Sequence, residues 1–282
     1  MLENNEQSAV ARHYGGVDIL SGILAALEQM GKDPARITPR DLAVVDEFHI
    51  RGREATIELA GRAQPRPGER VLDAGCGIGG SARFLAAEHS CLSTGIDLTA
   101  EYVVAAKALA QLVHLEDVAF CRGSALALPF AQGAFDLVWT EHAQMNIADK
   151  PRLYAELARV LRPGGRLAFH DVFAGSGEAL YPVPWADEAA ISFVPRPEEA
   201  RAALERSGLR IAQWEDTTRR SIDWFAAAAK RAGASGPSGP SGPPPLALHL
   251  VMGPNAKLKV SNLVRNLAEG RLAVVQAVAV KA

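Results

Sequence analysis

Residues 140–147 read TEHAQMNI and place Glu141, His142, Gln144 and Asn146 within six positions. They lie between AFDLVWT, which reads as a buried strand, and KPRLYAELARVL, which reads as an amphipathic helix. Hydrogen-bonding side chains are costly to bury without partners, so the segment is expected to face a ligand. Glu141 and His142 are candidate general bases. Imidazole suits that work best, because its ordinary pKa lies near neutral pH. His170, near the end of the run GRLAFHDVF, is a third candidate. Each has a plain structural alternative: Glu141 as a cap or a partner for a ligand ammonium, the histidines as satisfied hydrogen-bonding groups. Gln144 and Asn146 suit orientation of a substrate or capping of a turn.

A second group lies earlier. VLDAGCGIGGS spaces Gly75, Gly77 and Gly80 as G-x-G-x-x-G between a strand and a helix. That pattern alone says that a backbone turn approaches a ligand at a helix N-terminus, and several nucleotide folds use it. Its neighbours narrow the choice. Asp73, two residues before the first glycine, is awkward beside a pyrophosphate and suits a cationic amino group. Asp97, 24 residues further on, ends the next strand, where a carboxylate can grip ribose hydroxyls. The third strand ends in CRGSALALPF, where an adenine edge could lie.

The pieces VLDAGCGIGG, GID, GSALALPF, FDLVW and ELARVLRPGGRLAFHD follow one another over residues 70–175. In that order the chain resembles the class I S-adenosylmethionine-dependent methyltransferases of small-molecule type. It is similar to the ubiquinone/menaquinone-biosynthesis C-methyltransferases and the sarcosine/dimethylglycine N-methyltransferase-like proteins. The resemblance implies an α/β fold: a doubly wound, seven-stranded, mostly parallel Rossmann-like sheet with the last strand antiparallel. It implies S-adenosylmethionine as cofactor, with Asp73, Gly75 and Gly77 at its methionine end. Asp97 would hold the ribose, Leu98 the adenine face, and Ser124 and Ala125 the adenine edge. Many relatives carry Asp where this chain has Ser124, a weaker acceptor for the adenine amino group. Some carry a histidine near Gln144, which is absent here. The implied activity is methyl transfer to an oxygen or nitrogen of a small organic acceptor. Carbon methylation is the runner-up, and the rivals from other classes are a non-catalytic cofactor binder and a nucleotide-dependent oxidoreductase.

The elements fit that frame. Seven strand candidates are present, the last two separated by a long excursion, and the αβ connections are short. Strands one and four should be neighbours at the switch point, so the loop after strand four faces the methyl donor. Before the first strand, helical periodicity runs over 17–31 and again from Pro39 to Gly61. Residues 1–64 are therefore expected to form a helical lid, from which Tyr14 could reach the cofactor and His49 the acceptor. Residues 65–282 would form the core of a single domain. GASGPSGPSGPPP (233–245) reads as a mobile surface loop within it. The stretch 172–195 holds Phe173, Tyr181, Trp185 and Phe193 among prolines and glycines and reads as an acceptor-pocket wall.

The totals set limits. A net charge of −2 and a pI near 6.4 over 282 residues give no electrostatic footprint for nucleic acid. No apolar stretch approaches the roughly 20 residues of a membrane span. Cys76, Cys91 and Cys121 form no C-x-x-C pair and read as free thiols in a reducing compartment. The expectation is a cytoplasmic enzyme, monomer or homodimer, with a small-molecule substrate and neither a metal nor a membrane or nucleic-acid partner.

Overall fold

The computed structural model describes residues 19–29, 31–33, 36–46, 48–234 and 255–282. Tyr14 and all but the first two residues of 233–245 lie outside them. Seven strands form one sheet: β1 (Arg70–Ala74), β2 (Leu92–Asp97), β3 (Val118–Arg122), β4 (Phe135–Glu141), β5 (Leu161–Ala174), β6 (Leu209–Asp216) and β7 (Leu272–Lys281). Their order is β3-β2-β1-β4-β5-β7-β6. The first five pair in parallel, and β7 lies antiparallel to both β5 and β6. The central strands are apolar on both faces because both are covered; in β4 Leu137, Val138 and Trp139 are all fully buried. The chain turns from β1 outward to β2 on one side and β4 on the other. That switch point opens a crevice beyond the strand ends.

Nine helices lie among the described residues: α1 (Ile19–Gln29), α2 (Pro39–Asp46), α3 (Arg53–Ala63), α4 (Gly80–His89), α5 (Ala100–Leu112), α6 (Lys150–Val160), α7 (Pro197–Arg206), α8 (Thr218–Ala234) and α9 (Ala256–Ala268). In α6 the sequence supplies its own start: the Asp149 carboxylate accepts the Arg152 N–H, and Pro151 occupies the first turn. Its buried Leu153, Tyr154 and Leu157 share one face.

The single helix expected over Pro39–Gly61 is two. It ends at Asp46 and resumes at Arg53, with Arg51 (φ 71°) and Gly52 (φ 49°) in left-handed conformation between. A buried Arg51 guanidinium, paired with Glu58, holds the break. The apolar periodicity carries across it unbroken, which is why pattern alone reads one helix. The lid expectation also changes. Leu59, Ala60 and Ala63 of α3 pack against Val71, Trp139 and Val278, so α3 covers the sheet itself. Ile23 and Leu27 of α1 and Leu42 of α2 share a core with Tyr102 and Leu109 of α5.

Candidate active site

A cavity of about 630 Å³ opens at the switch point, beyond the carboxyl ends of the parallel strands. One half is built by the turns after β1, β2 and β3. Asp73, Gly75, Gly77, Asp97, Leu98 and Ser124 all line it, with Ala125 beside them. Gly75 has φ +79°, and a Cβ there would stand 2.5 Å from the Cβ of Ala143. The glycine is therefore needed twice, for the turn and for the close approach of the loop after β4. Asp97 accepts N–H bonds from Gly77 and Thr99, both at 2.8 Å. Burial pushes its pKa up and these donors hold it down. Ser124 Oγ accepts the Leu126 N–H, so its hydroxyl already serves its own turn.

Asp73 is the residue out of balance. It is almost fully buried, its Oδ2 has no hydrogen-bond partner, and burial followed by the neighbouring Glu141 raises its pKa well above the carboxylate range. A buried carboxylate in that state is stabilised by a cation arriving in the cleft. A ligand ammonium group fits that requirement.

The other half of the cavity is apolar. Met145, Trp185, Trp224, Phe225, Val260 and Leu263 line it, with Phe48 and Ile50 from the helix break. His49, Glu141, His142 and Asn146 stand between the halves. His142 is held at φ 49°, an unusual conformation for a residue with a side chain, and its N–H donates to the His170 carbonyl at 2.8 Å. Its Nε2 has no hydrogen-bond partner. Burial first, and His49 second, lower its pKa well below the ordinary imidazole value. Glu141 accepts from Ser81 Oγ at 2.6 Å and from Trp139 Nε1 at 2.8 Å, and its Oε1 faces His49 Nε2 at 3.7 Å.

Other expected site residues lie elsewhere. His170 is fully buried one layer behind His142, with ring centroids 4.8 Å apart, and does not line the cleft. Gln144 turns inward; its side-chain oxygen accepts the Tyr154 hydroxyl, and its own N–H donates to Asp171. Of the expected pocket wall, Pro184 and Trp185 reach the cavity, the Trp185 indole N–H on Ser192 Oγ at 2.9 Å. Phe173 is core, packed on Phe169 and Trp214. Tyr181 packs behind the wall, around Val183 and Leu263.

Sequence reasoning missed the roof. Trp224 and Phe225 sit on α8, whose adjacent aromatics in SIDWFAAAAKR were the available signal. It also missed Lys150, which anchors the loop. Its Nζ donates to the carbonyls of Gln144 (2.7 Å), Phe193 (2.6 Å) and Ile147. Burial lowers the Lys150 pKa to about 8 and raises that of Asp171, beneath the same loop, to about 7.

Comparison with known proteins agrees with this fold. A family described as "Methyltransferase domain" matches residues 72–169. Methyltransferase GfsG of Streptomyces halstedii is 34% identical over 133 residues, covering 47% of this chain and 48% of that protein. The chain thus aligns with about half of that relative's length. The 27-O-demethylrifamycin SV methyltransferase of Amycolatopsis mediterranei is 32% identical over 62% of this chain and 66% of its own. Among solved structures, the geranyl diphosphate C-methyltransferase of Streptomyces coelicolor A3(2) superposes with a TM-score of 0.69 at 20% identity, over 98% of each chain. Fold and cleft define a Rossmann-like methyltransferase. Residues 72–169 match the methyltransferase domain family, and the chain is similar to S-adenosylmethionine-dependent methyltransferases.

Proposed function

We propose that the protein transfers the methyl group of S-adenosylmethionine to an oxygen or nitrogen of a small organic acceptor with an apolar or aromatic body. The observation that carries this is the division of one cavity into two halves. One half holds the buried Asp73, whose Oδ2 has no hydrogen-bond partner, and the other is walled by Met145, Trp185, Trp224, Phe225 and Leu263. Apolar walls with few polar groups hold such acceptors and exclude water. Relatives named for O-methylation, including the Amycolatopsis enzyme, favour oxygen.

The bound cofactor supplies a methyl group already activated on a sulfonium sulfur. The protein's work is then alignment and proton removal. Asp73 holds the amino group, Asp97 the ribose, and the glycine turn brings the backbone close. Asn146 and His49 orient the acceptor between the halves. The acceptor's lone pair forms the new bond as the carbon–sulfur bond breaks, and the acceptor's proton passes to His142 Nε2. His170, set behind the cleft wall, is not given that task. We place the reaction in the cytoplasm, a reading supported by three free cysteines.

A mass-spectrometric screen of phenols, alcohols and amines with isotopically labelled methyl donor tests the reading. Label on oxygen or nitrogen of a lipophilic acceptor is expected. Label on carbon would select the C-methyltransferase alternative. Cofactor binding with no labelled product from any acceptor would make the protein a non-catalytic binder.

A further inference from the structure

Three side chains from distant segments converge beneath the acceptor half of the cleft, and methyl transfer leaves them partly unused. His49 comes from the break between α2 and α3, Glu141 from the end of β4 and His170 from β5. One ligand atom from each lies within 4.8 Å of the other two. Glu141 Oε2 is committed to Ser81 and Trp139. Among the described residues, its Oε1 receives a long contact from Thr56 Oγ1, at 3.5 Å, and faces His49 Nε2 at 3.7 Å. That gap exceeds a hydrogen bond. It suits two ligands of one ion, since atoms about 2.1 Å from a tetrahedral metal stand roughly 3.4 Å apart. His170 Nδ1 faces the Gln276 amide at 3.3 Å, and its Nε2 is buried with no hydrogen-bond partner. Among the described residues, the ion-pair partner of the Glu141 carboxylate is a histidine and no lysine or arginine.

We propose that His49, Glu141 and His170 form a binding site for a divalent first-row transition ion, zinc or iron(II). Two imidazoles and a carboxylate are the donor set such ions take, whereas magnesium and calcium prefer oxygen alone. The ion adds a cation to a buried carboxylate whose bonded donors, Ser81 and Trp139, are neutral, and gives His170 Nε2 a partner. Binding at Nε2 leaves the ring proton on Nδ1, so metal binding requires the Gln276 amide to give up its present bonds to the Ala55 carbonyl and Arg62 and turn its oxygen to the ring. His49 and Glu141 line the cavity and His170 does not. The open coordination position therefore faces the acceptor half. There the ion would take an oxygen of the acceptor, a role that rests on the methyl-transfer reading; the site itself does not.

The test uses the full chain. It is stripped with chelator and titrated calorimetrically with zinc and, without oxygen, with iron(II). One ion per chain is expected, with affinity at least about 100-fold weaker in Glu141→Gln and in His170→Gln and unchanged in His114→Gln, a histidine exposed on the surface. No saturable binding of either ion, or binding undiminished in both site variants, overturns the site. Where a variant fails to fold, cobalt(II) added to the native chain reads the ligands directly. Absorption bands of an ion held by nitrogen and oxygen uphold the site, and the bands of hydrated cobalt alone overturn it. S-adenosylhomocysteine is titrated in parallel. Its failure to bind while metal binds would sink the methyl-transfer reading and leave the site standing; the reverse result would sink only the site.

Discussion

Asp97 already holds two backbone N–H groups, Gly77 and Thr99, before any ligand arrives. Its remaining lone pairs are what a ribose would meet. Asp97→Ala removes charged acceptors worth about 1.5–3 kcal/mol each, so affinity for S-adenosylhomocysteine should fall tenfold or more by calorimetry. The same change frees the glycine turn, and NAD should bind neither form. His142 is tested differently. Burial and His49 depress its pKa, so its neutral, proton-accepting form persists to lower pH than that of an ordinary imidazole. The ascending limb of the pH–rate profile should therefore lie below the usual imidazole range, with turnover flat through neutrality. In His142→Ala turnover should drop about 100- to 10,000-fold and cofactor affinity should hold. A limb at the ordinary imidazole pH, or near-native turnover in the variant, would remove His142 from the base role. Single residues at strand ends, such as Asp73, Asp97 and His142, were legible in the sequence because the strand pattern fixes where each strand stops. The meeting of His49 with Glu141 and His170 was not, because it depends on a helix break that apolar periodicity passes over.

The loop after β4 is held as an element by a buried lysine. Lys150 begins α6, and its ammonium reaches back to the carbonyls of Gln144 and Ile147 and across to Phe193. Lys150→Met would take the donor from the Ile147 and Phe193 carbonyls, at about 1–3 kcal/mol each, while the Gln144 carbonyl keeps the Ile147 N–H. Denaturant unfolding should show a loss of roughly 2 kcal/mol or more, and turnover should fall with it as His142 and Asn146 lose their fixed positions. Unchanged stability would show that the loop does not depend on the lysine. The strands and the helix over KPRLYAELARVL are readable from local periodicity, whereas the strand order is what the family resemblance implies. The aromatic roof was not read, because Trp224 and Phe225 acquire meaning only when α8 folds over the cleft. Phe173 shows the converse. It was read as a pocket wall from its aromatic neighbourhood, yet the antiparallel pairing of β5 with β7 turns it into the core.

At the scale of the whole molecule, residues 53–63 of the expected lid also pack on the sheet. Leu59, Ala60 and Ala63 are buried against the sheet, so a chain lacking residues 1–64 should lose soluble expression, whereas a true lid would be dispensable for folding. Soluble, cofactor-binding protein from the truncated chain would restore the lid reading. The sheet order carries a further consequence, for the way the molecule is made. β7 separates β5 from β6 in space, but the ribosome makes residues 217–271 after β6 and before β7. At about 5–20 residues per second those 55 residues take roughly 3–11 s. For that interval β6 has no neighbour to join, and the outer edge of β5 stays open to other chains. Gln276, which meets both His170 and Arg62, arrives only with β7. Translation therefore delivers the floor of the cleft early and its backing last, and the nascent chain must wait with a sheet edge exposed until β7 emerges.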